Sequence, residues 1–150
     1  MTENRFGVAF PTGMEGLMYP VPFCDPEDLL RIAVRAEELG FDSIGGNDHI
    51  VTQDYVKEEW ETPPRYYDIF NVFSFVAART SDIKLNTAVT VLPLRDPVWT
   101  AKQSATLDRF SEGRLMLGTG VGAYREEFEA INPAVSLPRG KIMDESTEAL

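Results

Sequence analysis

One cysteine and one histidine in 150 residues remove several classes of protein at once. Cys24 alone cannot form an internal disulfide, and there is no cysteine cluster to bind a metal. Positive charge is scarce: 14 Lys and Arg stand against 24 Asp and Glu, a net charge of −10, with no basic run. Such a surface repels phosphate backbones and anionic lipid, so neither nucleic acid nor a membrane surface is an expected partner. No apolar run approaches the ~18 residues of a spanning helix, and MTENRFGVAF lacks the basic-then-apolar order of a signal peptide. The expectation is a cytoplasmic protein of one domain's length, whose apolar fraction of 43% supports a sizeable core.

What is present alternates. RFGVAF (5–10) is a short β-rich run, and FCDPEDLLRIAVRAEELG after it carries a helix. Asp25 caps that helix, Pro26 sits where a missing N–H costs nothing, and Leu29, Leu30, Ala33, Ala36 and Leu39 form its apolar stripe up to Gly40. FDSIGG (41–46) is a second strand, and the stretch from Asn47 to Arg65 reads as irregular, polar and aromatic. YDIFNVFSFVAARTS (67–81) is a second helix, and KLNTAVTVLPL (84–94) a third strand. Asp96–Pro97 repeats the Asp-Pro helix start, with Gly113 as the stop. RLMLGTGVG is a fourth strand with its exit, YREEFEAIN a short helix, and RGKIMDESTEAL the opening of another. This βαβ rhythm forces a parallel sheet with helices packed outside it.

LMLGTGVGAYREEF (115–128) tests how that sheet closes. Gly118, Gly120 and Ala123 fit the dinucleotide fingerprint G-x-G-x-x-G/A. In a doubly wound sheet, however, that fingerprint follows the first strand, with an acid at the end of the second. Here it follows the fourth, and PRGKIMD lies where the acidic strand end should be. A nicotinamide-dinucleotide reading therefore fails on context. A (β/α)8 barrel of the TIM type puts functional residues at the carboxyl ends of many strands. Candidates recur there: Pro11, Thr12 and Gly13; Asn47, Asp48 and His49; Asn86 and Thr87 with Ala88 and Val89; Gly118, Thr119, Gly120 and Gly122. Small residues at a shared mouth let a flat ring approach backbone, and a histidine supplies acid–base chemistry near neutral pH.

Each of these residues has a purely structural reading as well. His49 also reads as a hydrogen-bonded loop residue, Asp48 as a turn cap, and the glycines as tight turns. Trp60, Tyr66 and Tyr67 read as plugs of a barrel end, and Glu126, Glu127 and Glu129 as a solvated helix face. Residue types alone lead to a parallel α/β protein with its site at the strand ends.

Three blocks then resemble the bacterial luciferase-like flavin-dependent oxidoreductases. They are RAEELGFDSIGGNDHI, NTAVTVLPLRDPVWTAKQSATLDRFSEGRLMLGTGVGAYREEFEA and RGKIMDE, in order along nearly the whole chain. The resemblance implies a (β/α)8 barrel, of which residues 1–150 supply the N-terminal half, the first four βα units. It implies a reduced flavin-type cofactor at the strand ends, F420 with FMN as the alternative, and a small organic substrate to be reduced, dehydrogenated or oxygenated. The wording is nearest the F420-type subgroups. A non-prolyl cis peptide in strand 3 of relatives maps to Ala88–Val89. His49 is implied as proton donor or acceptor, with Asp48 orienting it or binding the ring. Thr87, Ala88, Val89, Gly118, Thr119, Gly120 and Gly122 are implied as further cofactor contacts, and no metal is expected. One departure matters. The sugar-phosphate dehydrogenase branch has a Glu after the glycines, and here that place is Ala123.

Length is the larger departure. A complete barrel takes about 250 residues, and its phosphate sites usually follow strands 7 and 8. The expectation is therefore a homo-oligomer or a chain joined by a complementing second half. The alternative is a non-catalytic truncated or split half barrel that functions only with a partner chain.

Overall fold

Helix starts are written locally and the structure uses them as written. In the computed structural model, which describes residues 4–12, 24–59, 66–131 and 138–150, Asp25 caps α1 (Pro26–Glu38) by accepting from the Asp28 N–H at 2.9 Å. Asp68 caps α3 (Ile69–Ala77) and Asp96 caps α4 (Pro97–Phe110) in the same way, through the N–H groups of Asn71 and Trp99. The strands are β1 (Gly7–Ala9), β2 (Ser43–Gly46), β3 (Lys84–Val91) and β4 (Leu115–Gly120). Two differences from the expected elements stand out. The polar stretch after β2 holds a short helix, α2 (Asp54–Glu59), which buries only Val56, and β3 ends in a single 3-10 turn, Leu92–Leu94. The chain continues through α5 (Arg125–Ile131) to α6 (Arg139–Ala149), a helix of 11 residues rather than a beginning.

All strand pairs are parallel and the order is β1-β2-β3-β4, with Ile44 opposite Leu85 and Leu85 opposite Leu115. A doubly wound sheet would reverse its order around the first strand. Sequential order is instead the wall of a (β/α)8-type barrel, here four βα units of it. Ile44 and Leu85 are fully buried with Leu29, Ile69, Phe73 and Leu107 in one core between sheet and helices. By the alternation of side chains along a strand, Ser43, Gly45, Asn86 and Ala88 fall on the other face, the one a barrel turns inward. Among the described residues neither β1 nor β4 has an outer neighbour.

The end of the sheet away from the site is tied by two charged residues. Arg114, 5% exposed, donates to the carbonyls of Ala77, Thr80, Ile83 and Ser111 and to the Thr80 hydroxyl. Glu37 Oε1 accepts from the N–H groups of Ser81, Asp82 and Ile83 at 2.7–2.9 Å, pinning the α3–β3 loop to α1. Desolvation pushes the Glu37 carboxyl up, but the three N–H groups and the charge of Arg114 outweigh it and hold the pKa below the usual 4.5. A depressed carboxyl stabilises the fold above its unfolded-state pKa and loses that contribution as pH falls through the folded one. Glu37→Gln is therefore expected to lower stability at neutral pH by about 1 kcal/mol, a half-exposed site being screened. In urea titrations the gap between the two proteins should close as the pH falls below 4.5. A gap that persisted in acid would assign the effect to packing.

Candidate functional site

The carboxyl ends of the strands are knitted to one another by side chains. At the exit of β1, the Thr12 hydroxyl donates to Asn47 Oδ1 at 2.6 Å and accepts from the Asn47 N–H, tying β1 to β2. Thr87, fully buried in β3, donates to the Gly118 carbonyl at 2.8 Å. The peptide between Ala88 and Val89 is cis, where the resemblance places it, and the β3–β4 register shifts there between Thr87 and Thr90. Gly118 and Gly120 lie in β4 and Gly122 follows with φ +75°, while Ala88, Val89 and Val121 remain exposed. Pro11 and Thr12 are buried; Gly13, like Trp60, lies outside the described residues.

Asp48 and His49 are neighbours in sequence but turn to different partners. Asp48, 4% exposed, accepts from Arg95 Nε at 2.8 Å, from Arg95 Nη2 at 2.5 Å and from the Val91 N–H at 3.1 Å. Arg95 Nη2 also reaches Asp68 at 3.0 Å. Burial opposes the Arg95 charge, but Asp48 and then Asp68 outweigh it and raise its pKa above the ordinary value. Of the two roles implied for Asp48, orienting the His49 ring is thus replaced by an ion pair. It fastens the β2 exit to the end of β3 and the turn behind it.

The His49 ring is held instead by Glu127, which the sequence reading placed on a solvated face, and by Gln53, which it did not single out. Its Nδ1 lies 3.1 Å from Glu127 Oε1 and 2.7 Å from Gln53 Nε2, and Glu127 Oε1 also accepts from the Ile50 N–H. Glu127 is 1% exposed, which corrects its reading as part of a solvated helix face. A signal was available: Tyr124, Glu127, Phe128 and Ile131 share one helical stripe, so Glu127 sits on the apolar side of its helix. The ring stacks obliquely on Tyr66 and Tyr124, with centroids 5.0 and 5.8 Å away. Tyr66 donates to Gln53 Oε1 at 2.9 Å. The Tyr55 phenol meets the Tyr124 hydroxyl at 3.3 Å, and that bond, ahead of burial, pushes its pKa up to about 12. His49, with 18% of its side chain open, borders a cleft of ≈ 440 Å³ lined also by Asp48, Tyr66, Arg95 and Trp99. Among the described residues no group of three His, Cys, Asp or Glu is placed to hold a metal, and no helix is long and apolar enough to cross a membrane.

Strand exits gathered at one end, with a fixed histidine among them, are the arrangement of a (β/α)-barrel enzyme site. The chain belongs to the luciferase-like monooxygenase family, whose sequence pattern matches residues 4–150. Over 134 residues it is 31% identical to an F420-dependent glucose-6-phosphate dehydrogenase of Kribbella flavida, covering 76% of this chain and 37% of that protein. It is 28% identical over 109 residues to a 5,10-methylenetetrahydromethanopterin reductase of Methanolobus tindarius, covering 71% of this chain and 29% of that one. The solved structure of an F420-dependent secondary alcohol dehydrogenase with an F420-acetone adduct shares the fold, with a TM-score of 0.77 at 19% identity. That match covers 99% of this chain and 41% of the other. The chain thus spans well under half the length of these proteins.

Proposed function

We propose that this chain carries the ring-facing part of the site of an F420-dependent oxidoreductase acting on a small organic substrate, with His49 giving or taking the substrate's proton. The observation that carries the reading is His49 itself, held at a strand exit by Glu127 and flanked by two tyrosine rings. The strand ends also suit a flat ring. A Cβ on Gly118 would lie 2.2 Å from the Thr87 carbonyl oxygen, and one on Gly120 2.7 Å from Val89 Cγ2, so side chains are excluded there. Val89 and Val121 stay 42% and 47% exposed beside them. Ala88, Val89, Gly118, Thr119, Gly120 and Gly122 would hold the cofactor, which when bound supplies hydride transfer. Thr87, also implied as a contact, is fully buried and would act behind them through its bond to the Gly118 carbonyl. Asp48 acts at one remove, by fixing Arg95 and Val91 behind the cis bond. Names of relatives support F420, but the acid that the resemblance puts after the glycines is Ala123 here, which argues against sugar-phosphate oxidation.

A second reading makes the chain one half of a barrel that functions only when a complementing half joins it. Its support is the edge of β1, which has no outer neighbour among the described residues and beside which Val8, Ile32, Val34, Leu39 and Phe41 line an apolar groove of ≈ 560 Å³.

Titration with F420 and separately with FMN, with sedimentation of the same samples, tests both. Binding of F420 by an assembly is the expected result. Preference for FMN, with oxygen consumption by the reduced form, would move the assignment to a monooxygenase. A folded monomer that binds neither would overturn the proposal for this chain.

A further inference from the structure

Two neighbours make incompatible demands on one nitrogen of His49. Glu127 Oε1, 3.1 Å from Nδ1, accepts a hydrogen when ionised, whereas Gln53 Nε2, at 2.7 Å, donates one. A ring nitrogen carries either a hydrogen or a lone pair, so only one demand is met. The carboxylate decides it. Oε1 already receives the Ile50 N–H at 3.0 Å, and a second donor from Nδ1 completes an ionised acceptor. An imidazole lone pair aimed at a carboxylate 1% exposed would bring two electron-rich groups together where little solvent screens them.

The amide yields at lower cost. Turned end for end, Gln53 keeps its outline, brings its oxygen to Nδ1 and offers its NH2 to the Tyr66 hydroxyl, 2.9 Å from the present Oε1. The 3.3 Å bond to the Val51 carbonyl is given up and two neutral oxygens face each other there, a weaker repulsion than a lone pair against the Glu127 carboxylate. We infer that Glu127 is a positioning residue that keeps the proton on His49 Nδ1 and thereby makes Nε2 the nitrogen that exchanges protons with the site. The tautomer stands on this geometry alone; its chemical use rests on the role proposed for His49.

Because His49 is the only histidine, 15N-histidine labelling of the full chain yields a single ring whose signals need no assignment between residues. Long-range 1H–15N correlation spectra across pH show, on the neutral limb, which nitrogen is pyrrole-like. The expected result is a pyrrole-like Nδ1 in the wild type, retained in Gln53→Met and lost to the Nε2–H form in Glu127→Met. A pyridine-like Nδ1 in the wild type would overturn the inference whether or not either variant folds. So would a tautomer that changes in Gln53→Met and survives in Glu127→Met. Unimpaired turnover without His49 would instead remove the functional reading and leave the tautomer assignment standing.

Discussion

Arg114→Met is expected to lower the unfolding free energy by about 3–5 kcal/mol, as a loss of urea midpoint at unchanged slope. Methionine replaces the apolar stem but none of the five hydrogen bonds that the guanidinium makes at 2.7–3.1 Å. Four of its acceptors are carbonyls at the end of α3 and in the loops that lead into β3 and β4, and each loses a charged donor. A buried carbonyl left without a partner costs about 1–3 kcal/mol, less where water reaches it, so the sum exceeds any single contact. Arg114→Lys should fall between the two, because a compact ammonium cannot span acceptors that a planar fork reaches together. A loss under about 1 kcal/mol for Arg114→Met would mean that water replaces the guanidinium freely.

Arg114 also shows where sequence reading stops. It appears in the sequence only as the polar first residue of an apolar run, and nothing nearby announces that the end of α3 and two loops depend on it. Local signals were legible. Asp25 and Asp96 cap the helices their Asp-Pro pairs predict, and β2 and β4 lie inside the runs read as strands, because caps and β-rich runs are decided within a few residues. Strand order was legible too, since glycines at the end of a fourth strand, two of them inside it, fit a barrel and not a doubly wound sheet. The cis bond at Ala88–Val89 came from family resemblance, as its residue types carry no signal for it. Illegible were the pairings. Asp48 and Arg95 are 47 positions apart and His49 and Glu127 are 78 apart, and a sequence does not say which carboxylate meets which donor. The short α2 escaped for a related reason: one buried residue, Val56, makes no periodic stripe.

His49→Asn is expected to reduce turnover of the completed, cofactor-loaded protein by about 10²–10⁴-fold, the usual worth of a positioned acid–base group. Asparagine is the informative choice. Its amide nitrogen takes the place of Nδ1 and can still donate to Glu127 Oε1, so the buried carboxylate keeps the partner it has in the wild type. What it lacks is a group that titrates. Loss of rate with the urea midpoint and cofactor affinity nearly intact would therefore separate proton transfer from scaffolding. His49→Ala confounds the two, because it also leaves Glu127 with only the Ile50 N–H and empties the space between Tyr66 and Tyr124. Asp48→Asn gives the opposite pattern. It weakens a buried pair with Arg95 that Asp68 only partly replaces, so its first effect is on stability, at about 2 kcal/mol. Full turnover by His49→Asn would mean that the substrate's proton travels by another route, and that the ring among the tyrosines serves only to hold the β2 exit against α5.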